Sequence, residues 1–367
     1  MSVTTTYNWK DLTSFCTRVL LKNGLSFDHA LIVAEHLVEA NLRGVDSHGV
    51  SRLGVYVERL RRGLINTHPI FKAKRDNGST VLLDGDNGAG QAVAWEATRM
   101  VMERATVHGL AAVGVLNSNH CGMLAYYTRR MAQKGFIGVA MTSAPSTMAP
   151  WGGKKAYLGT NPFSISVPTR EEEPIVFDMA TSVVARGKII LAMKKKEPIP
   201  PGWATDAEGV PTTDPTEAYN GLVLPVGGPK GYSLSLMVDI LSGVLTGACF
   251  GPYIGSLYDE YDRTQNVGHF FLAFNPDLFG DPEEFGKRLQ MMMDEIRRSP
   301  RARGVDRIYM PGEIEAGLME ERTANGVPLA EEVVAELARI GQDSKVEFPF
   351  PLGEVAEKGG RSSKNAG

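Results

Sequence analysis

Thr80-Val-Leu-Leu-Asp-Gly-Asp-Asn-Gly-Ala-Gly90 decides what kind of layered protein this chain forms. The apolar run into Asp84 reads as a buried strand, and Ala92 to His108 has the apolar spacing of a helix. A strand, a Gly-rich turn and a helix is the place for a dinucleotide fingerprint. Here, however, the glycines of Gly85-Asp-Asn-Gly-Ala-Gly90 fall as G-x-x-G-x-G. The tight turn, the close approach of backbone to pyrophosphate and the helix packing need G-x-G-x-x-G. The segment is therefore expected to be a tight strand-to-helix turn, and any dinucleotide bound by this chain is not held by the Rossmann device. Gly227-Gly-Pro-Lys-Gly231 is not a P-loop either, because it lacks the G-x-x-x-x-G-K-[ST] order.

Working outward, strand and helix signals alternate. Leu110 to Leu116, Phe136 to Met141, Ile175 to Asp178 and Phe270 to Phe274 read as strands. Leu124 to Gln133, Val183 to Met193 and Tyr232 to Leu245 read as helices, the last of them buried. This alternation predicts a layered α/β domain over residues 71–274. Before it, Leu12, Phe15, Val19 and Leu20, then Ala30, Val33, Ala34, Leu37 and Val38, then Leu53, Val57 and Leu60 recur at helical spacing, with Gly24 and Gly44 as stops. Residues 1–70 are expected to be a helical unit packing with 275–350, where Pro282 to Arg298 and Leu329 to Ile340 read as helices. The Gly-, Ser-, Lys- and Glu-rich stretch 353–367 is expected to be a disordered tail.

Composition narrows the function. The 367 residues carry 39 Lys and Arg against 42 Asp and Glu, a net charge of −3 with no basic block, so nucleic acid is not an expected partner. At 43% hydrophobic the chain has ample material for a core. Cys16, Cys121 and Cys249 form no Cys-x-x-Cys, and His29, His36, His68, His108 and His269 lack helical ligand spacing, so no metal is expected. The N-terminus has no apolar segment of the signal-peptide kind. The most apolar stretch, Tyr232 to Phe250, holds Asp239 at its middle. A cytoplasmic protein without membrane spans is the expectation.

Six motifs carry chemistry. Gly44-Val-Asp-Ser-His-Gly-Val-Ser-Arg52 sets His48 and Arg52 four apart where the third helix starts, with Asp46 or Ser47 able to cap it. A His there feels the positive end of the helix dipole, which favours the neutral, proton-accepting form, and Arg52 is placed to hold a carboxylate. The plainer reading is a polar cap beside a surface Arg. In Leu116-Asn-Ser-Asn-His-Cys-Gly-Met123 a strand's carboxyl end delivers Asn117, Asn119 and His120, fit either for a small polar substrate or for a turn. Gly159-Thr-Asn-Pro162 holds Asn161 extended before its proline. Phe177-Asp-Met-Ala-Thr181 puts Asp178 at a strand end facing a helix start. Lys230 enters an apolar helix from Pro229-Lys-Gly-Tyr232, and Tyr309-Met-Pro-Gly-Glu313 forms a late turn.

Together and in this order, the six motifs resemble the malate/L-lactate dehydrogenase family of the non-Rossmann type, which includes ureidoglycolate and sulfolactate dehydrogenases, diketogulonate reductases and piperideine-carboxylate reductases. The similarity covers about residues 8–345. It implies a sulfolactate-dehydrogenase-like fold and a homodimer binding NAD, with NADP open. The resemblance implies His120 and His48 as catalytic, and Arg52, Ser47, Asn119, Thr160 and Asn161 as contacts around the substrate. It further implies Asp178, Met179, Ala180, Lys230, Gly312, Glu313 and Ile314 at the nucleotide, with Ala144 where some relatives carry a nucleotide-contacting Ser. The implied reaction moves hydride between nicotinamide and a small 2-hydroxy or 2-oxo acid of ureidoglycolate, malate or lactate type, with His120 exchanging the proton and His48 sharing that role, or the reverse. Reduction of a cyclic imine carboxylate, or a catalytically silent ligand-binding homologue, are the other readings.

Overall fold

The computed structural model describes residues 4–352, so the stretch expected to be a disordered tail lies outside the described residues. A short strand β1 (Thr4–Tyr7) leads into helices α1 (Trp9–Lys22), α2 (Phe27–Leu42) and α3 (Leu53–Arg61). Asn8 and Ser26 cap the first two by accepting from Lys10 N and His29 N. Then follow β2 (Lys72–Asp76), β3 (Thr80–Asp84), α4 (Gly90–His108), β4 (Leu110–Ser118), α5 (Ala125–Gln133), β5 (Ile137–Thr142), β6 (Phe163–Val167) and β7 (Ile175–Met179). A small lobe holds α6 (Arg186–Lys195), β8 (Ala204–Thr205), β9 (Pro211–Thr212), α7 (Pro215–Asn220) and β10 (Leu222–Val223). The chain continues with α8 (Pro229–Asp239), β11 (Val267–Phe274), α9 (Pro282–Arg298), α10 (Glu313–Asn325), β12 (Val327–Ala330) and α11 (Glu331–Ser344).

The main sheet has the order β2-β3-β4-β11-β5-β6-β7, a mixed sheet in which β3 and β4 run parallel and the remaining pairs antiparallel. There are two large cores, and a third, smaller one around Met148, Ile189 and Val223 fills the small lobe. Phe15, Leu20, Leu37, Leu53 and Val57 from α1–α3 pack with Leu329, Leu337 and Ile340 from the C-terminal elements. Val93, Ala97 and Val101 of α4, with Tyr127 and Met131 of α5, cover Val113, Val115 and Phe271 of the sheet. Pairing of β1 with β12 ties the two ends of the described chain together.

Three element expectations need correction. The stretch from Leu329 opens in β12, and its helix starts only at Glu331. The helix expected from Val183 starts at Arg186. The apolar helix over Tyr232 to Leu245 becomes a π-helical turn at Ile240–Val244, and it is not buried all round: Leu234, Met237, Ile240, Val244 and Leu245 are exposed. Asp239 is buried within it and accepts from Gly251 N at 3.0 Å. No helix among the described residues is long and apolar enough to cross a membrane.

Where the two cores meet, α4 begins against the backbone that leaves β4. A Cβ on Gly90 would lie 2.2 Å from Asn119 O and 2.3 Å from His120 O, so only hydrogen fits. Replacing Gly90 by Ala should lower the unfolding free energy by about 3 kcal/mol, because the obstructing atoms are backbone and cannot swing away. Denaturant titration of G90A against the wild type measures this.

Candidate active site

Residues 44–52 do not form the start of a helix. Asp46–His48 and Val50–Arg52 are two consecutive 3₁₀ turns, and α3 begins at Leu53. The expected cap by Asp46 or Ser47 is therefore absent. Asp46 instead receives Asn41 Nδ2 at 2.6 Å and Arg322 Nη1 at 2.8 Å, which pins the turn to α2 and α10. Asn41 Oδ1 also accepts from Val50 N at 2.8 Å. The result turns His48 inward, with Ser47 Oγ at 3.0 Å from its Nδ1.

His120 arrives from the sheet side. Its ring stacks on that of His48 with centroids 5.6 Å apart and planes 21° from parallel. Tyr56 of α3 lies with Oη 2.8 Å from His120 Nδ1, and His120 N donates to Gln265 Oε1 at 3.1 Å. Nδ1 is thus engaged, and among the described residues no group bonds Nε2, the nitrogen left for chemistry. Behind the ring, Tyr56, Gln91, Asn119 and His120 line a cavity of about 10 Å³. That holds one water at most and is too small for a substrate.

Arg52 completes this cluster. Its Nε donates to Ser47 O at 2.6 Å, Nη1 donates to Tyr258 Oη, and the guanidinium lies 5.0 Å from the centroid of the Tyr258 ring. Among the described residues no carboxylate lies in ion-pair range of Arg52, which leaves a half-buried cation beside two imidazoles. Burial, then the Arg52 charge, lowers the His48 pKa to about 4, and burial with the charges of His48 and Arg52 pushes His120 well below the usual range. The neutral form expected from a helix dipole is thus produced by desolvation and a neighbouring cation. At neutral pH both rings can accept a proton.

The remaining candidates gather along edge strand β7. Asp178 Oδ2 accepts from Ala125 N at 2.8 Å, at the first residue of α5. Val176 N donates to Pro311 O at 2.9 Å, which seats Gly312 against the strand; its φ of +93° and the close approach of Val176 admit no side chain. Glu313 opens α10 and binds Arg297, Arg307 and Met310 N, while Ile314 is exposed. Beyond Met179 and Ala180, Thr181 N and Oγ1 both donate to Thr160 O, and Val226 N donates to Thr181 O at 2.9 Å. This brings the Lys230 segment to the same end of β7. The helices that begin there, α8 after Gly228 and α10 after Gly312, have no side-chain cap. Lys230, for which no carboxylate partner is found among the described residues, and the α8 terminus beyond Pro229 suit an anionic nucleotide, whereas at α10 Glu313 N already donates to Met310 O and Glu313 and Glu315 bring negative charge to the first turn. Segment 118–125 bridges the two clusters, carrying His120 at one end and the Ala125 N–H at the other.

Two candidates turn elsewhere. Asn119 donates its amide to Asn87 O, Asn87 Oδ1 and Gly88 O, holding the turn at 85–90 rather than facing the histidines. Asn161 is not extended before Pro162: its φ is +24°, and its amide accepts from Ala144 N and donates to Ser235 O, locking the loop to α8. The sequence reading missed Tyr56, Gln91, Gln265 and Tyr258. Tyr56 was within reach, since it follows Arg52 by four residues in a helical segment. Nothing local marks the other three. No cluster of three or more His, Cys, Asp or Glu placed to hold a metal occurs among the described residues.

The chain matches the family model described as malate/L-lactate dehydrogenase over residues 7–338. It is 42% identical over 340 residues to a malate dehydrogenase of Pyrococcus abyssi, covering 90% of this chain and 93% of the relative. It is 36% identical over 314 residues to the ureidoglycolate dehydrogenase (NAD(+)) of Escherichia coli K12, covering 86% and 89%. The structure of sulfolactate dehydrogenase from Methanocaldococcus jannaschii superposes with a TM-score of 0.88 at 35% identity, covering 94% of this chain and 98% of that one.

Two further histidines give this arrangement a pH signature. His36 and His269 are fully buried, and burial lowers their pKa values from 6.5 to about 4 and about 3. The unfolded chain takes up protons below pH 6.5 that the folded chain refuses. Stability is therefore expected to be full above that value and to fall as pH drops toward 4, by on the order of 1 kcal/mol per pH unit for each histidine. Unfolding free energies measured across that range test the sign and slope.

Proposed function

The chain belongs to the malate/L-lactate dehydrogenase family, and from that premise we propose that it is a nicotinamide-dependent dehydrogenase of a small 2-hydroxy acid, with NAD as cofactor. The observation that carries this reading is the stacked His48–His120 pair beside an Arg52 with no carboxylate partner among the described residues. A fixed cation without a counter-ion suits a substrate carboxylate, and a neutral imidazole within reach of that carboxylate suits the neighbouring hydroxyl.

In this reading Arg52 holds the carboxylate and Ser47 fixes His48. His120 accepts the C2 hydroxyl proton at Nε2 and returns it in the reverse direction. His48, oriented by Ser47, shares that role or takes it over. Asp178, Met179, Ala180, Lys230, Gly312, Glu313 and Ile314 would hold the nucleotide along β7, with Thr160 and Asn161 shaping the loop at its reactive end. Bound there, the nicotinamide supplies a ring that takes or gives hydride. The Arg52 charge is one of the causes that depress the His120 pKa. A bound carboxylate neutralises that charge and moves the imidazole back toward its ordinary range.

Malate, ureidoglycolate and lactate types all fit a site of this chemistry. A panel of 2-oxo acids with a cyclic imine carboxylate as comparison, each with NADH and with NADPH, identifies the class. Turnover of the imine alone would replace this reading with an imine reductase, and no cofactor binding at millimolar NADH would make the protein a silent homologue. Within the active enzyme, His120→Gln should cut kcat at least ~10²-fold, the usual worth of a general acid–base group, and His48→Gln should cost less. A larger loss from His48→Gln would exchange the two roles.

The exposed apolar face of Leu234, Met237, Ile240, Val244 and Leu245 supports a homodimer in which a second copy covers it. Met237→Glu puts a charge at its centre. Light scattering should show this variant shifted from dimer to monomer.

A further inference from the structure

Behind the His120 ring a small chamber with polar walls interrupts otherwise apolar packing. Tyr56, Gln91, Asn119 and His120 meet there against Val33 and Leu60, and the first three side chains are almost fully buried. Two of their polar atoms, Gln91 Nε2 and Asn119 Oδ1, are buried and have no hydrogen-bond partner among the described residues. The Asn119 oxygen is identified by its own amide, whose Nδ2 donates to Asn87 O, Asn87 Oδ1 and Gly88 O and so turns Oδ1 the other way. A buried donor and a buried acceptor left unmatched are costly. The chamber, about 10 Å³, is the size of a single water, which can accept from the one and donate to the other.

The ring poses a second bonding question. Tyr56 Oη lies 2.8 Å from His120 Nδ1, and one hydrogen is shared in that contact. If the phenol gives its hydrogen, Nδ1 accepts it and the imidazole's own proton sits on Nε2. If the phenol accepts, Nδ1 carries the proton and Nε2 is bare. Only the second tautomer can take a proton at Nε2. Burial pushes the Tyr56 pKa up, so the phenol keeps its hydrogen and needs an acceptor for it. Its other polar neighbour is Gln91, on the wall of the same chamber.

Resting on the dehydrogenase reading, in which His120 exchanges the proton at Nε2, we infer that Tyr56 is a positioning residue that fixes the tautomer of His120, backed by one buried water held between Gln91 and Asn119. His120 Nδ1–H donates to Tyr56 Oη, and the Tyr56 hydroxyl donates to the water. The water also accepts from Gln91 Nε2 and donates to Asn119 Oδ1. Both orphaned atoms are then satisfied, and about three bonds are usual for a buried water. Tyr56 accepts whether the ring is neutral or charged, so Nδ1 keeps its hydrogen through the cycle and exchange is confined to Nε2.

Nitrogen-15 spectra of the full-length protein labelled at histidine read the tautomer, with the His120 signals assigned by their loss in His120→Gln. At neutral pH the wild type should show His120 protonated at Nδ1 and bare at Nε2. Tyr56→Phe keeps the packing of the ring and removes the oxygen. It should move the hydrogen to Nε2 and cut kcat roughly 10- to 100-fold at nearly unchanged KM. Gln91→Leu, which removes the water's donor but leaves the phenol, should cost less. A crystal structure should place an ordered water within hydrogen-bond distance of Gln91 Nε2 and Asn119 Oδ1. Thermal melting reports whether the variants fold; if Tyr56→Phe does not, the wild-type tautomer and the chamber water still decide. His120 bare at Nδ1 in the wild type, a tautomer unmoved by Tyr56→Phe, or a dry chamber would overturn the relay. An Nδ1-protonated His120 that depends on Tyr56, in a protein that turns over no 2-hydroxy or 2-oxo acid with either cofactor, would uphold the relay and refute the dehydrogenase reading instead.

Discussion

The bond between Tyr56 Oη and His120 Nδ1 joins two separately packed bodies. Tyr56 belongs to the helical core with Leu53 and Val57, whereas His120 leaves the sheet at the end of β4. Neither body alone holds the imidazole in place. The helices supply the phenol, Arg52 and the His48 turn; the sheet supplies the ring. The candidate chemistry can exist only where the two meet, and the contact of Gly90 with the Asn119–His120 backbone shows how little slack the junction allows. A displacement of either body by an ångström would break the 2.8 Å hydrogen bond before it disturbed either core.

Electrostatics at this seam run in one direction. His36, His48, His120 and Arg52 lie near enough to act on one another, and each makes a further positive charge less welcome. Nearby carboxylates are mostly engaged elsewhere, Asp46 by Arg322 and Glu39 by Arg129 and Arg130, and Glu336 acts on Arg52 through its charge without forming an ion pair among the described residues. The cluster therefore favours an anion over a further cation. Lys230 and the start of α8 lie at the β7 end, while Arg52 lies across segment 118–125.

The sequence disclosed the site better than the scaffold. His48, Arg52 and His120 could be found because each sits in a short polar motif that no packing need explains, and the family resemblance followed from the order of such motifs. The order of the sheet could not be found that way, since apolar runs reveal strands but not their neighbours. Strand β2, Lys72–Asp76, escaped notice because all five residues are exposed and four are charged, as suits an edge that must not recruit another chain. Local rules failed where tertiary bonds overrode them: Asn161 takes a positive φ before a proline because its amide is bonded on both sides, and Asp46 leaves its capping role for an arginine 276 residues away. Tyr258 had no signal at all. Its position depends on an arginine far away in the chain, and a loop residue's partner cannot be read from the loop.

Strand β11 lies between β4 and β5, so the middle of the sheet is filled by residues 267–274, long after both flanking strands have been made. During synthesis the β2-β3-β4 and β5-β6-β7 halves leave the ribosome with unpaired inner edges facing each other, and they stay open until about three quarters of the chain has emerged. Such edges invite pairing with foreign strands, and closing them requires contacts between residues far apart in sequence. A truncated product that stops before Val267 would keep both edges bare, so this architecture ties solubility of the nascent protein to the synthesis of β11.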